Sequence, residues 1–140
     1  MENNNFDVWE DIFQRKEWGK YPSIPLIKFV ARNFYSSPDR SEVKLLEIGS
    51  GPGANLWYMA REGFTVYGIE GSQTACNNAT KRLNNEGLGD RIGKIIAGDY
   101  HEKLNDFEDG YFDAIIDVES LYCNVWDKSK EIVKLAFDKL

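Results

Sequence analysis

With 140 residues, 17 Lys and Arg against 23 Asp and Glu, and a formal net charge of −6, the chain has room for one small domain and excludes a second. Apolar residues make up 42% and aromatics 14%, enough for one packed core and too much for a disordered segment. The apolar runs fall far short of the roughly 20 residues of a bilayer helix, and Met1 opens an acidic, Asn-rich stretch, so neither a membrane span nor a signal peptide is expected.

In chain order, Phe6, Trp9 and Phe13 stand at helical spacing, followed by Trp18, Gly19, Lys20, Tyr21 and Pro22. Ser23 before Ile24 and Pro25 marks a second helix start, with Ile27, Val30, Ala31 and Phe34 as its buried stripe. Residues 1–40 therefore read as an N-terminal helical cover, closed by the polar break Ser36, Ser37, Pro38, Asp39, Arg40. Residues 41–140 alternate β-rich and helical runs, the pattern of a parallel sheet with crossover helices, and predict an α/β fold. Strands are predicted at Val43 to Ile48, Phe64 to Ile69, Ile92 to Ala97 and Phe112 to Val118, each too apolar for a two-faced surface strand. Crossover helices follow from Leu56, Met59 and Ala60, and from Cys76, Ala79 and Leu83, the latter capped by Ser72 and ended by Asn84, Asn85, Gly87 and Gly89. Ile132, Val133, Leu135, Ala136, Phe137 and Leu140 form a last amphipathic helix that would cross over to a fifth strand. The expectation is a piece of a longer chain, with self-association through the open edge of the fourth strand as the alternative.

Cys76 and Cys123, without CxxC spacing, fit a reducing compartment, and cytoplasm is expected. The acidic balance disfavours a nucleic-acid partner, and no membrane partner is expected.

The most informative stretch is LLEIGSGPGAN, where a strand ending in Glu47 runs into Gly49, Ser50, Gly51 and Gly53. Glycine serves where the backbone takes positive φ or must approach a ligand closely. A strand-to-helix turn of this kind lies at the carboxyl edge of a parallel sheet, where open α/β folds bind ligands, although glycine there also serves purely steric ends. Glu70, 23 residues after Glu47, closes the second strand, where a carboxylate can accept ribose hydroxyls. Asp99 and Asp117 close the third and fourth. Parallel geometry puts all four acids on one rim, where they repel one another unless a cation or hydrogen-bond donors meet them. A ligand with ribose hydroxyls, an amino group and a positive charge suits such a row, and a dinucleotide pyrophosphate does not.

LLEIGSGPG, VYGIEGS, IIAGDY and YFDAIIDVES resemble, in order and spacing, the successive motifs of class I methyltransferases that use S-adenosylmethionine, over residues 43–118. The resemblance implies a Rossmann-like sheet of order 3-2-1-4, here without the family's usual last three strands. It implies that Glu47 and the Gly49 to Gly53 loop face the methionine part of the cofactor, and that Glu70 holds the ribose. Gly71 and Ser72 would lie beside the adenine, Asp99 would accept from its amine, and the Tyr100 backbone would serve the ring. Asp117 and the Val118 backbone would border the amino group and methyl. WGKYP is similar to the cofactor lids of small-molecule members, which makes Trp18 and Tyr21 candidates. The function implied is methyl transfer to a small-molecule acceptor by direct displacement, leaving S-adenosylhomocysteine. DVES stands in place of the D/N-P-P-Y of nucleobase amine methylation, which weakens that branch.

Glu119, His101 and Tyr122 are available near strand ends, but solvent exposure or core packing explains each, and His101 without neighbouring ligands is no metal site. No residue is assigned as catalytic. Cys76 and Cys123 read as small packing residues, Trp57 as packing on its helix, and Glu108 and Asp109 beside Gly110 as a solvated turn. Two competing functions remain: a nicotinamide-dependent oxidoreductase, which shares strand, glycine loop and acid but would show GxGxxG, and a cofactor-binding module without turnover.

Overall fold

A computed structural model describes residues 5–140; the acidic start, residues 1–4, lies outside the described residues. Four strands, β1 (Lys44–Ile48), β2 (Thr65–Glu70), β3 (Ile92–Ala97) and β4 (Ala114–Asp117), form one all-parallel sheet of order β3-β2-β1-β4. Helices α1 (Asn5–Arg15) and α2 (Ile24–Phe34) precede it; α3 (Ala54–Arg61), α4 (Gln73–Asn85), α5 (Tyr100–Leu104) and α6 (Trp126–Asp138) follow β1, β2, β3 and β4 in turn.

Alternation along each strand divides the core between the two faces of the sheet. Leu45 and Val66 pack with Leu26 and Val30 of α2, Leu56 and Met59 of α3 and Leu83 of α4. Leu46, Ile48 and Ile69 pack instead with Leu104, Phe107, Phe112 and Ile132 of α6. Helix α2 thus shares the core of the sheet, with Leu26 and Val30 inside and Ile27, Ala31 and Phe34 half-buried, a stripe rotated slightly from the sequence expectation. Ser23 caps it by accepting from Leu26 N–H, and Ser72 caps α4 by accepting from Ala75 N–H.

The third strand matches its predicted bounds; the first and second begin one residue later than expected, the second reaches Glu70, and the fourth is shorter at both ends. Phe64 is fully buried and stacks on Tyr35, while Phe112 N–H donates to the Lys139 carbonyl at the end of α6, so each packs like a strand residue without joining the sheet. The short helix α5 is not foreshadowed by any apolar period; Asp99 starts it by accepting from Glu102 N–H.

Helix α6 buries Ile132 and Ala136, but Val133 and Phe137 (75%) of the predicted stripe are exposed, as are Leu140 beyond the helix and Trp126 (74%) at its start, which the stripe did not include. Strand β4 pairs with β1 on one side and has no second neighbour among the described residues. No described helix is long and apolar enough to cross a membrane.

Candidate functional site

Because all four strands run parallel, Ile48, Ile69, Ile96 and Asp117 end in register at one rim of the sheet. A cavity of about 440 Å³ opens over the tips of β1 and β2 and the loop after β4. Its floor is the Gly49 to Pro52 turn, and its roof is the apolar face of α1 with the Trp18 to Tyr21 segment.

The turn is built by Glu70. One oxygen accepts from Gly51 N–H at 2.8 Å and the other from Ser72 N–H at 3.1 Å, so this buried carboxylate ties the glycine loop to the start of α4. Burial raises its pKa, and the amide bonds work the other way. Gly49 takes φ +71, and a Cβ there would fall onto the Ser120 side chain. The positive φ and the close approach both require glycine.

Glu47 is 2% exposed at the end of β1. Oε1 accepts from Asn55 Nδ2 at 2.7 Å, and the Asn55 carbonyl accepts from Ser23 N–H at 3.1 Å, which joins α2, α3 and β1 through one amide. Oε2 has no partner, nor does the buried Ser50 Oγ, and both residues line the cavity. Burial, reinforced by the charges of Glu70 and Asp117, pushes the Glu47 carboxyl up to about 8 despite the Asn55 bond, so it is largely protonated at neutral pH.

Helix α1 is pinned across the rim at its first residue and at its middle. Asn5 Nδ2 donates to the Cys123 carbonyl at 2.8 Å, beyond β4. At the other side Glu10 accepts from the hydroxyls of Ser72 and Thr74 and from Thr74 N–H, adding a carboxylate to the start of α4, where the helix dipole favours negative charge. Those hydroxyls draw the Glu10 carboxyl down to about 2. The rings of Trp9 and Phe13 on the helix and Trp18 after it meet with centroids 5.5 to 6.2 Å apart, and Phe6 lies on Gly71, where a Cβ would reach within 2.8 Å of its Cε1.

Of the residues singled out from sequence, Trp18, Tyr21, Glu47, Gly49, Ser50, Gly51, Glu70, Gly71, Tyr100 and Val118 line the cavity together. Four do not. Gly53 (φ +89) opens α3, and its missing Cβ admits Ala79 of α4. Ser72 is fully buried as the cap of α4 and a donor to Glu10. Asp99 caps α5 and pairs with Lys128; burial opposes its charge, but Lys128 and the amides outweigh this and hold its carboxyl below the usual range. Asp117 turns back to accept from the amides of Ser120 (3.2 Å) and Leu121 (3.0 Å) and contacts the Ser120 hydroxyl, which itself lies 2.9 Å from the Ile48 carbonyl. The row of acids is therefore met largely by donors of the chain itself, and of these four acids Glu47 is the one with a buried oxygen that no group among the described residues meets.

Sequence reasoning passed over Phe6, Trp9 and Phe13 as cavity residues, although their helical spacing was plain. Glu119 is exposed, as expected, whereas Tyr122, expected in the core, is exposed too. Both line the cavity, Tyr122 at 75% exposure and Glu119 with φ 61, a conformation that side chains other than glycine seldom take. Cys123, half-buried, lines it too.

The family model described as a methyltransferase domain matches residues 46–136. No curated protein sequence matches the chain. Among solved structures, a proposed S-adenosyl-L-methionine-dependent methyltransferase from Methanococcus maripaludis matches with TM-score 0.65 at 24% identity, covering 96% of this chain and 57% of that one. A structure described for conversion of a disulfide bond into a thioacetal group during echinomycin biosynthesis gives TM-score 0.81 at 19% identity, covering 97% and 56%. A S-adenosyl-L-methionine-dependent methyltransferase from Thiobacillus denitrificans, in complex with S-adenosyl-L-homocysteine, gives TM-score 0.62 at 20% identity, covering 95% and 50%. At these identities the likeness is one of fold, and the chain spans about half the length of those structures.

Proposed function

Since the chain belongs to the methyltransferase-domain family and has the fold of a class I S-adenosylmethionine-dependent methyltransferase, we propose that it binds that cofactor in the cavity and transfers its methyl group to a small molecule. The observation that carries this reading is the buried Glu47, whose Oε2 lacks any partner and lines a cavity floored by the glycine turn. A buried polar atom without a partner is costly, and an ammonium group on the ligand would answer it. The cofactor supplies an electrophilic methyl on a sulfonium.

The residues present fit that group. Gly53 gives α3 no side-chain cap, so the first-turn amides at Ala54 and Asn55, which line the cavity, suit a carboxylate. Glu70 keeps lone pairs beyond its two amide bonds for ribose hydroxyls. Phe6, packed on Gly71, offers an aromatic face in the lining on which a base can stack. Direct displacement needs no covalent intermediate, so the chain's work is to align the two reactants and exclude water, a contribution of roughly 7 to 11 kcal/mol in well-oriented systems. Helix α1 and Trp18 form the roof that excludes it.

Calorimetric titration with S-adenosylhomocysteine, S-adenosylmethionine and NAD tests the reading. Both adenosyl compounds should bind, and Glu70→Gln should weaken them about tenfold while the chain still melts cooperatively. Binding of NAD alone would falsify the assignment and favour an oxidoreductase. Compartment and partners belong to the same proposal: a cytoplasmic protein, in keeping with two free cysteines, that self-associates through the outer edge of β4. Sedimentation velocity across a hundredfold concentration range should then show a growing dimer, and a constant monomer would remove that part.

A further inference from the structure

Charge and surface chemistry around the cavity bear on the second reactant. The described lining carries three carboxyl groups, Glu47, Glu70 and Glu119, and no Lys, Arg or His. Its remaining surface is dominated by aromatic rings: Phe6, Trp9, Phe13 and Trp18 in the roof, Tyr122 on the β4 side. Lys16 stands 5.9 Å from the Trp18 ring but does not line the cavity. Aromatic faces attract cations, and carboxylates repel anions. Resting on the methyltransferase reading above, we infer that the acceptor is an uncharged amine or ring nitrogen, which becomes cationic on methylation, held between the aromatic roof and Glu119.

Three observations converge on this class. An acceptor arriving as carboxylate, phosphate or phenolate would have to shed its water beside Glu70 and Glu119 with no basic side chain in the lining to replace it. A neutral nitrogen brings no such cost. The loop holding Glu119 is also fixed from below: Asp117 accepts from two amides of the 120–121 turn, Ser120 bonds back to Ile48, and Glu119 is left at φ 61 on the cavity wall. A non-glycine residue kept in that conformation is uncommon and gathers at functional sites. Finally, the unpartnered Glu47 Oε2 adds an acceptor, not a donor, when ionised.

The step balances on these terms. The nitrogen lone pair forms the new C–N bond while the S–CH3 bond breaks and its electron pair stays on sulfur. One positive charge passes from sulfur to nitrogen, and an N–H proton, where there is one, leaves to the Glu119 carboxylate and then to water. The cavity holds a single positive charge through the transfer itself, until any N–H proton departs, which suits walls of one sign.

The test uses the 140-residue chain loaded with S-adenosylhomocysteine and four single-ring probes at neutral pH: benzyltrimethylammonium, N,N-dimethylaniline as the uncharged amine, benzyl alcohol and benzoate. Binding is followed by calorimetry and by the fluorescence of Trp9 and Trp18. The ammonium should bind at least tenfold more tightly than benzoate, with a preference that shrinks as salt rises, and the amine should bind more tightly than the alcohol. Glu119→Gln should lower ammonium affinity about three- to tenfold, more than it lowers that of S-adenosylhomocysteine. Benzoate binding as well as the ammonium, or an ammonium affinity indifferent to Glu119→Gln, overturns the acceptor class. Failure to bind S-adenosylhomocysteine at all overturns the methyltransferase reading instead, so the two failures are told apart.

Discussion

Replacing Glu47 by Gln should make the protein more stable at alkaline pH and leave it nearly unchanged near pH 5. In the folded chain the carboxyl is raised from its ordinary 4.5 to about 8, chiefly by burial. The unfolded chain gives up this proton near 4.5 while the folded chain keeps it, so the folded state binds more protons throughout that window. Stability therefore falls as pH rises, by at most ~1.4 kcal/mol for each pH unit, and levels off above about 8. Across the window the loss is on the order of 3 to 5 kcal/mol, a sizeable share of what holds a domain of this size together. Gln preserves the acceptor for Asn55 Nδ2 and places a neutral amide where Oε2 has no partner. Urea denaturation of both proteins at half-unit steps from pH 5 to 9 supplies the comparison. The difference between them should open above pH 5 in favour of the variant. Two parallel curves would mean that Glu47 ionises freely, and the account of a neutral buried acid at the tip of β1 would be wrong.

Cofactor binding should report the same proton. If an ammonium group meets Glu47, the carboxyl ionises on binding, so S-adenosylhomocysteine should bind with proton release near pH 7 and with affinity that grows as pH rises toward 8, seen as a dependence of calorimetric enthalpy on buffer ionisation heat. Gly49→Ala must accept φ +71 and a Cβ against Ser120; the backbone conformation alone costs roughly 1 to 2 kcal/mol, so the denaturation midpoint should fall markedly. Glu10→Ala removes the carboxylate that ties α1 to Thr74 and Ser72, which should speed dissociation of S-adenosylhomocysteine in stopped-flow fluorescence. Because the Glu10 carboxyl is drawn down to about 2, its contribution to docking α1 is complete above 4.5 and fades as pH falls toward 2, which acid titration of Trp9 fluorescence would show.

The sheet was legible because its strands are apolar on both faces and end in glycine or acid, a pattern that parallel burial imposes and few alternatives share. The strand order followed from the motif resemblance. What local pattern could not supply was the use to which each acid is put. Asp99 and Asp117 stand at strand ends as Glu70 does, yet Asp99 is taken by a helix cap and by Lys128, 29 residues on, and Asp117 by its own turn. A carboxylate that caps and one that waits for a ligand look alike in sequence. The same holds for α1: Phe6, Trp9 and Phe13 announce a helical stripe, but a stripe covering a cavity has the periodicity of one covering a sheet. Val133 and Phe137 show the opposite case, part of an apolar stripe on α6 that is exposed in the structure.

The roof and the floor of the cavity are mechanically one piece. Glu70 fixes the glycine turn through Gly51 and reaches Ser72, Ser72 caps α4 and donates to Glu10, and Glu10 anchors α1 with its aromatic face. Each link is a charge-assisted hydrogen bond or a helix cap, individually modest and shared with its neighbour. A ligand that strengthens the Glu70 end must therefore act on the placement of α1, and loosening α1 must act back on the Glu70 end, because both bear on one residue, Glu70 through the Ser72 amide and Glu10 through its hydroxyl. On the far side, Asn5 holds Cys123 by a single exposed hydrogen bond, so the roof should open from the β4 side first. That is the side where Glu119 and Tyr122 stand, which puts the entry of the acceptor beside the residues that would receive it.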